Sequence, residues 1–587
     1  MNETKKFCTD KIMLQLQYDL ITDLIDVPCV RNTMLQTLNR GIPAWRELEI
    51  PTYLFGGSYT CKATYQVDTF LKRYTFEKDL YTSEQLEEKA IRDFKESQET
   101  FGFQRPLTLR THLVVEHAKE ILRKILGPFE TDVFSGLCGW GKNAAVGLKK
   151  KEAYLDNRVE KLTATQKQAE WFSLHLESDP LLRSCVGEVK VVDSVKYTVV
   201  PKSYKALRGI APDVSVGGYY SKAMGRYLQS RLEKGTPIRL ANAQDQHKIL
   251  AQQGSRTGKL VTIDKRKASD SFVREHMQML LPEDWFEALE LARVPNITVG
   301  GEKIVLRSYM LMGSGHTFPL QTLLFYALAK ATSELLNAKG PVRVFGDDII
   351  MPRSSANQYI TVAQELGFSI NGDKTYVDGP FRESCGGDYH NGLDVRPAMP
   401  EGTFERVPKR NYLSFLYRVT NSLLEKWDAS QVPLAIGTLA REIRLHEPKG
   451  LLLGVKGVHG KDSCLLNELP NEDMVKPTIR VIDWVVYVEQ LLLVPVVKRR
   501  KVRNEIPYLH QYLQGEESLF EFWTDTFPTL STKVQENIIQ KIKGTTFEPV
   551  YAPVATKGSS VRDEPQKGSV LRYARKKVRR PSLGYEL

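Results

Sequence analysis

The stretch VRVFGDDIIMP, residues 342–352, decides how this chain is read. Two adjacent carboxylates, Asp347 and Asp348, follow Gly346 and stand between two short apolar runs. Strand-forming residues on either side of Gly-Asp read as a hairpin, because glycine and aspartate both tolerate positive φ in a tight turn. A Gly-Asp-Asp triplet alone arises by chance in roughly one chain of this length in ten at ordinary composition. Its meaning therefore depends on what the rest of the chain brings to the two carboxylates.

Upstream, VTIDKRKASDS supplies two more acids. LVTI, residues 260–263, reads as a buried strand ending at Asp264, and Asp270 follows. If that strand lies beside the hairpin, Asp264 comes next to Asp347. Three carboxylates converging without a counter-ion repel by about 1 to 4 kcal/mol per pair at about 4 Å. Hard divalent cations remove that cost. Mg²⁺ takes oxygen ligands, commonly one or two carboxylates plus substrate phosphates. Two such ions about 3.5–4 Å apart stabilise both the attacking and the leaving oxygens of an in-line phosphoryl displacement.

Phosphate chemistry also needs cations. VPKSYKALRG holds Lys202, Lys205 and Arg208 within a short segment. Arginine clasps phosphate bidentately and lysine acts as a point charge, so the segment suits a triphosphate; a solvated basic strand face satisfies the same pattern. Lys374, in INGDKTY, stands where it could protonate a departing pyrophosphate or be an exposed structural lysine. The loop GSGHT, residues 313–317, lets backbone approach a nucleotide closely because glycine has no Cβ. It reads equally as a plain helix start with Thr317 as its cap.

Helices are expected at 83–97, at 113–125, at 271–281 before Pro282, and at 357–366 closed by Gly367. The loop MGSGHT opens a long helix in which Leu320, Leu323, Leu324, Ala327, Ala331 and Leu335 recur at helical spacing. This order describes an α+β unit, a mixed sheet with helices on one face. Beyond about residue 400 the pattern turns mainly helical, with Leu413, Leu416, Val419, Leu423 and Trp427 on one face. No internal repeat at solenoid spacing is present.

At 587 residues the chain has room for about four domain-sized units. With 42% hydrophobic and 26% charged residues it is neither fibrous nor disordered. The net charge of +12 is uneven. From Tyr551 onward Lys557, Arg562, Lys567, Arg572, Arg575, Lys576, Lys577, Arg579 and Arg580 oppose only Asp563, Glu564 and Glu586. Such a basic, flexible tail suits a phosphate backbone, although a solubilising tail has the same composition. Seven scattered cysteines without a C-x-x-C pair indicate neither a disulfide framework nor a zinc site, and fit a reducing compartment. The start, MNETKKFCTDK, lacks an apolar signal core. The longest uncharged run, residues 308–329, contains Gly313, Gly315, His316, Pro319 and Gln321, which argues against a membrane span. The apolar segment 485–497 carries Glu489 and Pro495 and reads as core. A soluble, intracellular chain is expected.

Rival readings exist. GLCGWGKN runs G-x-x-x-x-G-K from Gly136 through Gly141 to Lys142, the pattern of a P-loop NTPase, but has Asn143 where Ser or Thr should hold the metal. A reverse transcriptase would share the carboxylate logic, and a non-catalytic RNA-binding protein would use the acids structurally.

Asp264 with Asp270, then Ser-Gly before a helix, then Gly-Asp-Asp, then a downstream lysine resembles the ordered motif set of the right-hand, palm-type RNA-dependent RNA polymerases. PKSYKALRGIAP, IDKRKASDS, MGSGHTFPLQTLLFYALA, VFGDDII and GPFRESCGGDYHNGLDVRP are similar to the replicase subunit of levivirus-type positive-strand RNA bacteriophages, specifically over about 200–397. The resemblance implies a right hand of fingers, palm and thumb, with a mixed or antiparallel palm sheet backed by helices. It assigns 1–200 to fingers and palm, 201–255 to fingers, 256–397 to the palm, 398–550 to a mainly helical thumb and 551–587 to the basic tail. Asp264 and Asp347 would be the principal ligands of two Mg²⁺ ions, for which Mn²⁺ substitutes, with Asp348 a third ligand or support. Lys202, Lys205 and Arg208 would contact the incoming triphosphate. Asp270, Ser314 and Gly315 would sense ribose and base-pair geometry, with Gln321 where many viral polymerases carry Asn. Lys374 falls at the candidate general acid, and residues 381–386 lie near the primer-grip hairpin. Lys265, Arg266 and Lys267 load the first acidic motif with positive charge and are expected to turn away or to contact nucleic acid. Implied partners are single-stranded RNA template and nascent RNA, NTPs, host elongation factors Tu and Ts and a small-subunit ribosomal protein, with no membrane, in the host bacterial cytoplasm.

Overall fold

The computed structural model describes residues 6–49, 57–103, 106–141, 143–447, 450–454, 461–462, 464–470, 472–476, 478–482, 485–494, 498–501, 551–554 and 572–579, those beyond 476 by backbone alone. Its centre is a three-stranded sheet in the order Arg343–Phe345, Asp348–Pro352, Leu260–Ile263. Every pairing in it is antiparallel, so the expected mixed sheet is corrected here. Phe345 pairs with Asp348, which leaves Gly346 and Asp347 as a two-residue loop. Only Gly346 takes a positive φ, +64°. That is the pattern of a type II′ hairpin turn, whose first position demands glycine. A Cβ at Gly346 would also press into the Phe318 ring.

The run Ile349-Ile350-Met351 is apolar throughout because both faces of its strand are covered. Ile349 and Met351 join Val344, Val261 and Ile263 in the main core, against Leu320, Leu324, Phe325 and Leu328 of the helix Thr317–Leu335. Ile350 and Leu260 point the other way, onto Ala251 of the helix Ala243–Thr257. Helices therefore back both faces of the sheet rather than the one expected. All three residues of the run are fully buried, and each such isoleucine or methionine contributes about 1.5–3 kcal/mol of transfer free energy.

Helices form at Ser83–Thr100 and Leu109–Leu126, capped by Thr82 and Thr108 side chains. The segment expected to be helical from 271 starts at Arg274, because Val273 first bridges to Ser308. The helix expected from 357 starts earlier, at Arg353, and Gly367 closes it at φ +86°. Thr317 does not cap its helix; its hydroxyl donates to the Leu311 carbonyl, 2.8 Å away.

A second core joins the N-terminal helices to residues 398–474. Helices Asp10–Leu24 and Ser58–Thr69 bury Leu16, Leu20 and Val67 against Leu413, Leu416, Val419, Leu423 and Trp427 from helix Lys409–Leu424 and the turn after it. Strand Val485–Val494 pairs with Thr478–Ile482 and with Arg572–Arg579, so among the described residues the expected helical pattern stops at His446 and gives way to strand, and 572–579 of the expected flexible tail are strand. The expectations about burial of 485–497 and about the rest of the tail lie outside the described residues.

Gly136 ends a six-residue helix, Thr131–Gly136, and the element just before it among the described residues is another helix, Leu109–Leu126, not a strand. A P-loop needs a strand before its glycines and a helix after its lysine, so the NTPase reading finds no support; Lys142 itself lies outside the described residues. Among the described residues no helix is long and apolar enough to cross a membrane.

Candidate active site

The central sheet delivers the carboxylates. Ile263 pairs with Ile349, so the next step along the ladder sets Asp264 opposite Asp348 rather than beside Asp347, which sits exposed on the turn. Charge still couples all three. Burial raises Asp264 above the usual carboxylate range and Asp347 adds to this, against an Asn371 Nδ2 donor at 2.6 Å and the Lys374 charge. Burial and then the Asp347 and Asp264 charges push Asp348 up to about 7. Its Oδ2 accepts from the Cys385 backbone N–H at 3.3 Å and from the Cys385 thiol at 3.4 Å.

These donors are hard oxygens, from side chains held on a strand end and a tight turn, and their mutual repulsion is a cost that a divalent cation removes. That set fits Mg²⁺, which typically takes one or two carboxylates plus substrate phosphates. Among the described residues no three His, Cys, Asp or Glu side chains stand close enough together to hold a metal ion, so Asp264, Asp347 and Asp348 are coupled by charge without forming such a group.

Cations ring this group. Lys202 lies on strand Thr198–Ser203, which pairs with Ala206–Ile210 carrying Arg208. Partial burial, Arg208 and Lys374 draw its ammonium below the ordinary range, while Asp264 and Asp347 pull the other way. Lys202, Lys205 and Arg208 all remain exposed. Lys205 acts on a different acid, Asp68, which burial pushes up to about 6. Lys374 Nζ donates to Glu383 Oε1 at 3.2 Å. Burial opposes its charge, yet Glu383, Asp264 and Asp348 outweigh this and raise it. It lies in a segment, 369–376, that hydrogen-bonds along the free edge of strand Leu260–Ile263 and its continuation.

The nucleotide-sensing group is only partly assembled. Asp270, pushed up to about 6 by burial, accepts from Ser269 Oγ at 2.9 Å. Ser314 Oγ donates elsewhere, to Asp213 Oδ1 at 2.7 Å. Gly315 N–H donates to Ser221 Oγ at 2.7 Å. Gln321 is buried in the second turn of its helix.

The basic run after Asp264 turns away, in three directions. Arg266 pairs with Asp373 at 3.1 Å, and Lys267 donates to the Asp93 carbonyl at 2.7 Å. Lys265 goes inward, 3% exposed, with Nζ 2.6 Å from Tyr359 Oη and 4.0 Å from the Phe325 ring centroid. Burial lowers its ammonium to about 7, against the pull of Asp347 and Asp264. The folded chain thus binds that proton less tightly than the unfolded chain does. Stability rises with pH from about 7 toward the ordinary lysine range, and the full cost is carried below about 7. Measured by thermal unfolding in chelator, the wild-type chain should gain about 2 kcal/mol over Lys265→Met between pH 7 and 9; parallel pH curves would refute the buried ammonium.

Asn371 and Asp213 escaped the sequence reading, and Glu383 and Cys385 entered it only within the stretch 381–386. Asn371 sits three residues before Lys374 and could have been found by asking what satisfies Asp264. Cys385 adopts a left-handed φ of +47°, uncommon for a cysteine, and no composition signal marks it.

Comparison with known proteins gives a consistent picture. A family model described as RNA replicase, beta-chain, matches residues 107–437. The RNA-directed RNA polymerase beta chain of Escherichia phage MS2 is 31% identical over 286 residues, 48% of this chain and 52% of that protein. The RNA-directed RNA polymerase subunit beta of Qbeta virus (strain MX1) is 36% identical over 222 residues, 37% of this chain and 38% of that protein. The corresponding subunit of Enterobacteria phage SP is 37% identical over 214 residues, 36% of each chain. The matched stretches span about half or less of the length of these relatives.

Proposed function

Since the chain belongs to the RNA replicase beta-chain family, we propose that it is the catalytic subunit of an RNA-directed RNA polymerase that copies a single-stranded RNA phage genome. The observation that carries this is the electrostatic coupling of Asp264, Asp347 and Asp348 at a strand end and turn to one another and to Lys202 and Lys374. In this reading the chain is a right hand, with 256–397 its palm, 201–255 in the fingers and the helices after 398 in the thumb.

Asp264 and Asp347, with Asp348 in support, would hold two Mg²⁺ ions, which when bound neutralise charge on the reacting oxygens; Mn²⁺ satisfies the same donors. The chain's own residues bind, orient and move a proton. Lys202 and Arg208 hold the triphosphate, and Lys205 extends the basic strand pair along it. The 3′-hydroxyl of the nascent RNA releases its proton to solvent and bonds to the α-phosphorus, the bond from that phosphorus to the bridging oxygen breaks, and pyrophosphate leaves. Lys374 Nζ, kept protonated by its acidic neighbours, gives its proton to the leaving oxygen. Replacing Lys374 by Met should lower the rate of incorporation by about 10²-fold with little change in NTP KM; an unchanged rate would assign the lysine to structure.

The proposed partners are single-stranded RNA, NTPs, host elongation factors Tu and Ts and a small-subunit ribosomal protein, in the bacterial cytoplasm. Purified from its host with whatever co-purifies, the chain should incorporate NTPs on single-stranded RNA. EDTA should abolish incorporation while RNA remains bound and weakens with salt. Incorporation of dNTPs in preference to NTPs would favour the reverse-transcriptase reading instead.

A further inference from the structure

The carboxylate of Asp213 has no part in the chemistry above, yet it is the hub of a buried network. It lies just before helix Ser215–Gly235. Its Oδ1 accepts the Ser314 hydroxyl at 2.7 Å, and the Ser221 hydroxyl is its second donor. Burial drives this carboxylate up to about 6 against those two donors. Ser221 Oγ has a proton to give and lone pairs to fill. Its proton goes to Asp213, so it accepts from Gly315 N–H at 2.7 Å and from His316 Nδ1 at 3.0 Å. Burial holds His316 at about 4, neutral near pH 7, and this accounting gives it the Nδ1–H tautomer. Three consecutive residues, Ser314, Gly315 and His316, are thereby tied to one acid and one hydroxyl some ninety residues upstream.

Close packing permits no slack. A Cβ at Gly225 would run into the Gly315 carbonyl, one at Gly315 into the backbone of Lys222, and one at Gly313 into the Ala211 carbonyl. Ala211 N–H also donates to the Met312 carbonyl at 2.9 Å. The loop is continuous with helix Thr317–Leu335. There Phe318 lies against Gly346, and Thr322 Oγ1 accepts the Gly346 N–H at 3.0 Å. A displacement of the loop is thus carried to the turn that bears Asp347.

We infer that Asp213 is a positioning residue that sets the Ser314–Gly315 loop, and through it the discrimination between ribonucleoside and 2′-deoxyribonucleoside triphosphates. The inference rests on the polymerase reading for its substrate. Ser314 in this arrangement spends its only proton on Asp213, so it meets a nucleotide through backbone and lone pair alone. Asp213 acts through Ser314 and is not itself in contact with substrate.

The test compares wild type, Asp213→Ala, Ser314→Ala and the double variant in the complete replicase with its co-purifying proteins. Two readings are taken: the ratio of kcat/KM for an NTP to that for the matching dNTP, and amide hydrogen exchange over residues 312–316. Asp213→Ala should lower the ratio roughly tenfold to a hundredfold, and the double variant should do no more than either single one. Exchange at Gly315 should rise at least about tenfold while the sheet at 343–352 stays protected. An unchanged exchange rate in Asp213→Ala overturns the inference whatever the activity, and so do additive effects of the two substitutions on the ratio. Wild-type protein that incorporates no nucleotide would instead overturn the polymerase reading, and loop exchange would still decide the role of Asp213.

Discussion

Asp347→Asn and Asp264→Asn should each abolish nucleotide incorporation, by roughly 10³-fold or more, while leaving the fold intact. In the proposed reading the two carboxylates offer hard oxygens from rigid backbone, and an amide of equal size keeps shape but loses the charge that would hold a divalent cation. Folding should be unaffected or improved, since the substitution removes like-charge repulsion that burial has sharpened. Asp348→Asn should cost less. That carboxylate is half-buried, bonded to Cys385 and displaced to about 7, so it is the least ready of the three to bind a cation. Single-turnover incorporation alongside circular dichroism checks the ranking. Equal losses at all three positions would make Asp348 a full ligand, and retained activity in Asp347→Asn would remove the carboxylate site from the chemistry.

The second large effect is on stability. Arg382 is completely buried, with backbone carbonyls rather than a carboxylate as its hydrogen-bond acceptors. Its Nε donates to Leu260 O at 2.9 Å, Nη1 to Gly379 O at 2.8 Å and Phe381 O at 2.6 Å, and Nη2 to Val377 O at 3.3 Å. Burial lowers its guanidinium to about 10, which leaves it charged near neutrality. The side chain pins the hairpin Phe381–Ser384 with Gly387–His390 to strand Leu260–Ile263. Removing it strands several buried acceptors, each worth about 1–3 kcal/mol. Arg382→Met should therefore lose more than about 3 kcal/mol and loosen the turn that presents Cys385 to Asp348. Thermal unfolding and proteolysis within 376–392 read both consequences. A melting temperature within about 2 °C of wild type would refute this role.

Local pattern carried much of the fold. Residues 342–352 read as a hairpin because strand formers flank a Gly-Asp turn, and helix Thr317–Leu335 showed in its leucine spacing. Asp264 was placed near the turn because a strand precedes it, but its register was not legible: a one-residue step decides whether Asp347 or Asp348 stands opposite. The second covered face was missed because a run such as Ile349-Ile350-Met351 announces burial without naming what buries it. Lys265 could not be read as a core residue, since lysine is almost never buried and its partners Phe325 and Tyr359 lie far along the chain. Ser314 was linked to nucleotide sensing by its motif. Its partner Asp213 is 101 residues away, a separation that only the tertiary fold closes.

The central claim is that this site copies RNA, and sequencing the product tests it most directly. Wild-type replicase and Asp347→Asn are given a defined single-stranded RNA, the four NTPs and Mg²⁺. The account predicts a wild-type product complementary to the template and none from Asp347→Asn. A product independent of the template sequence, or an equal yield from the variant, would contradict it.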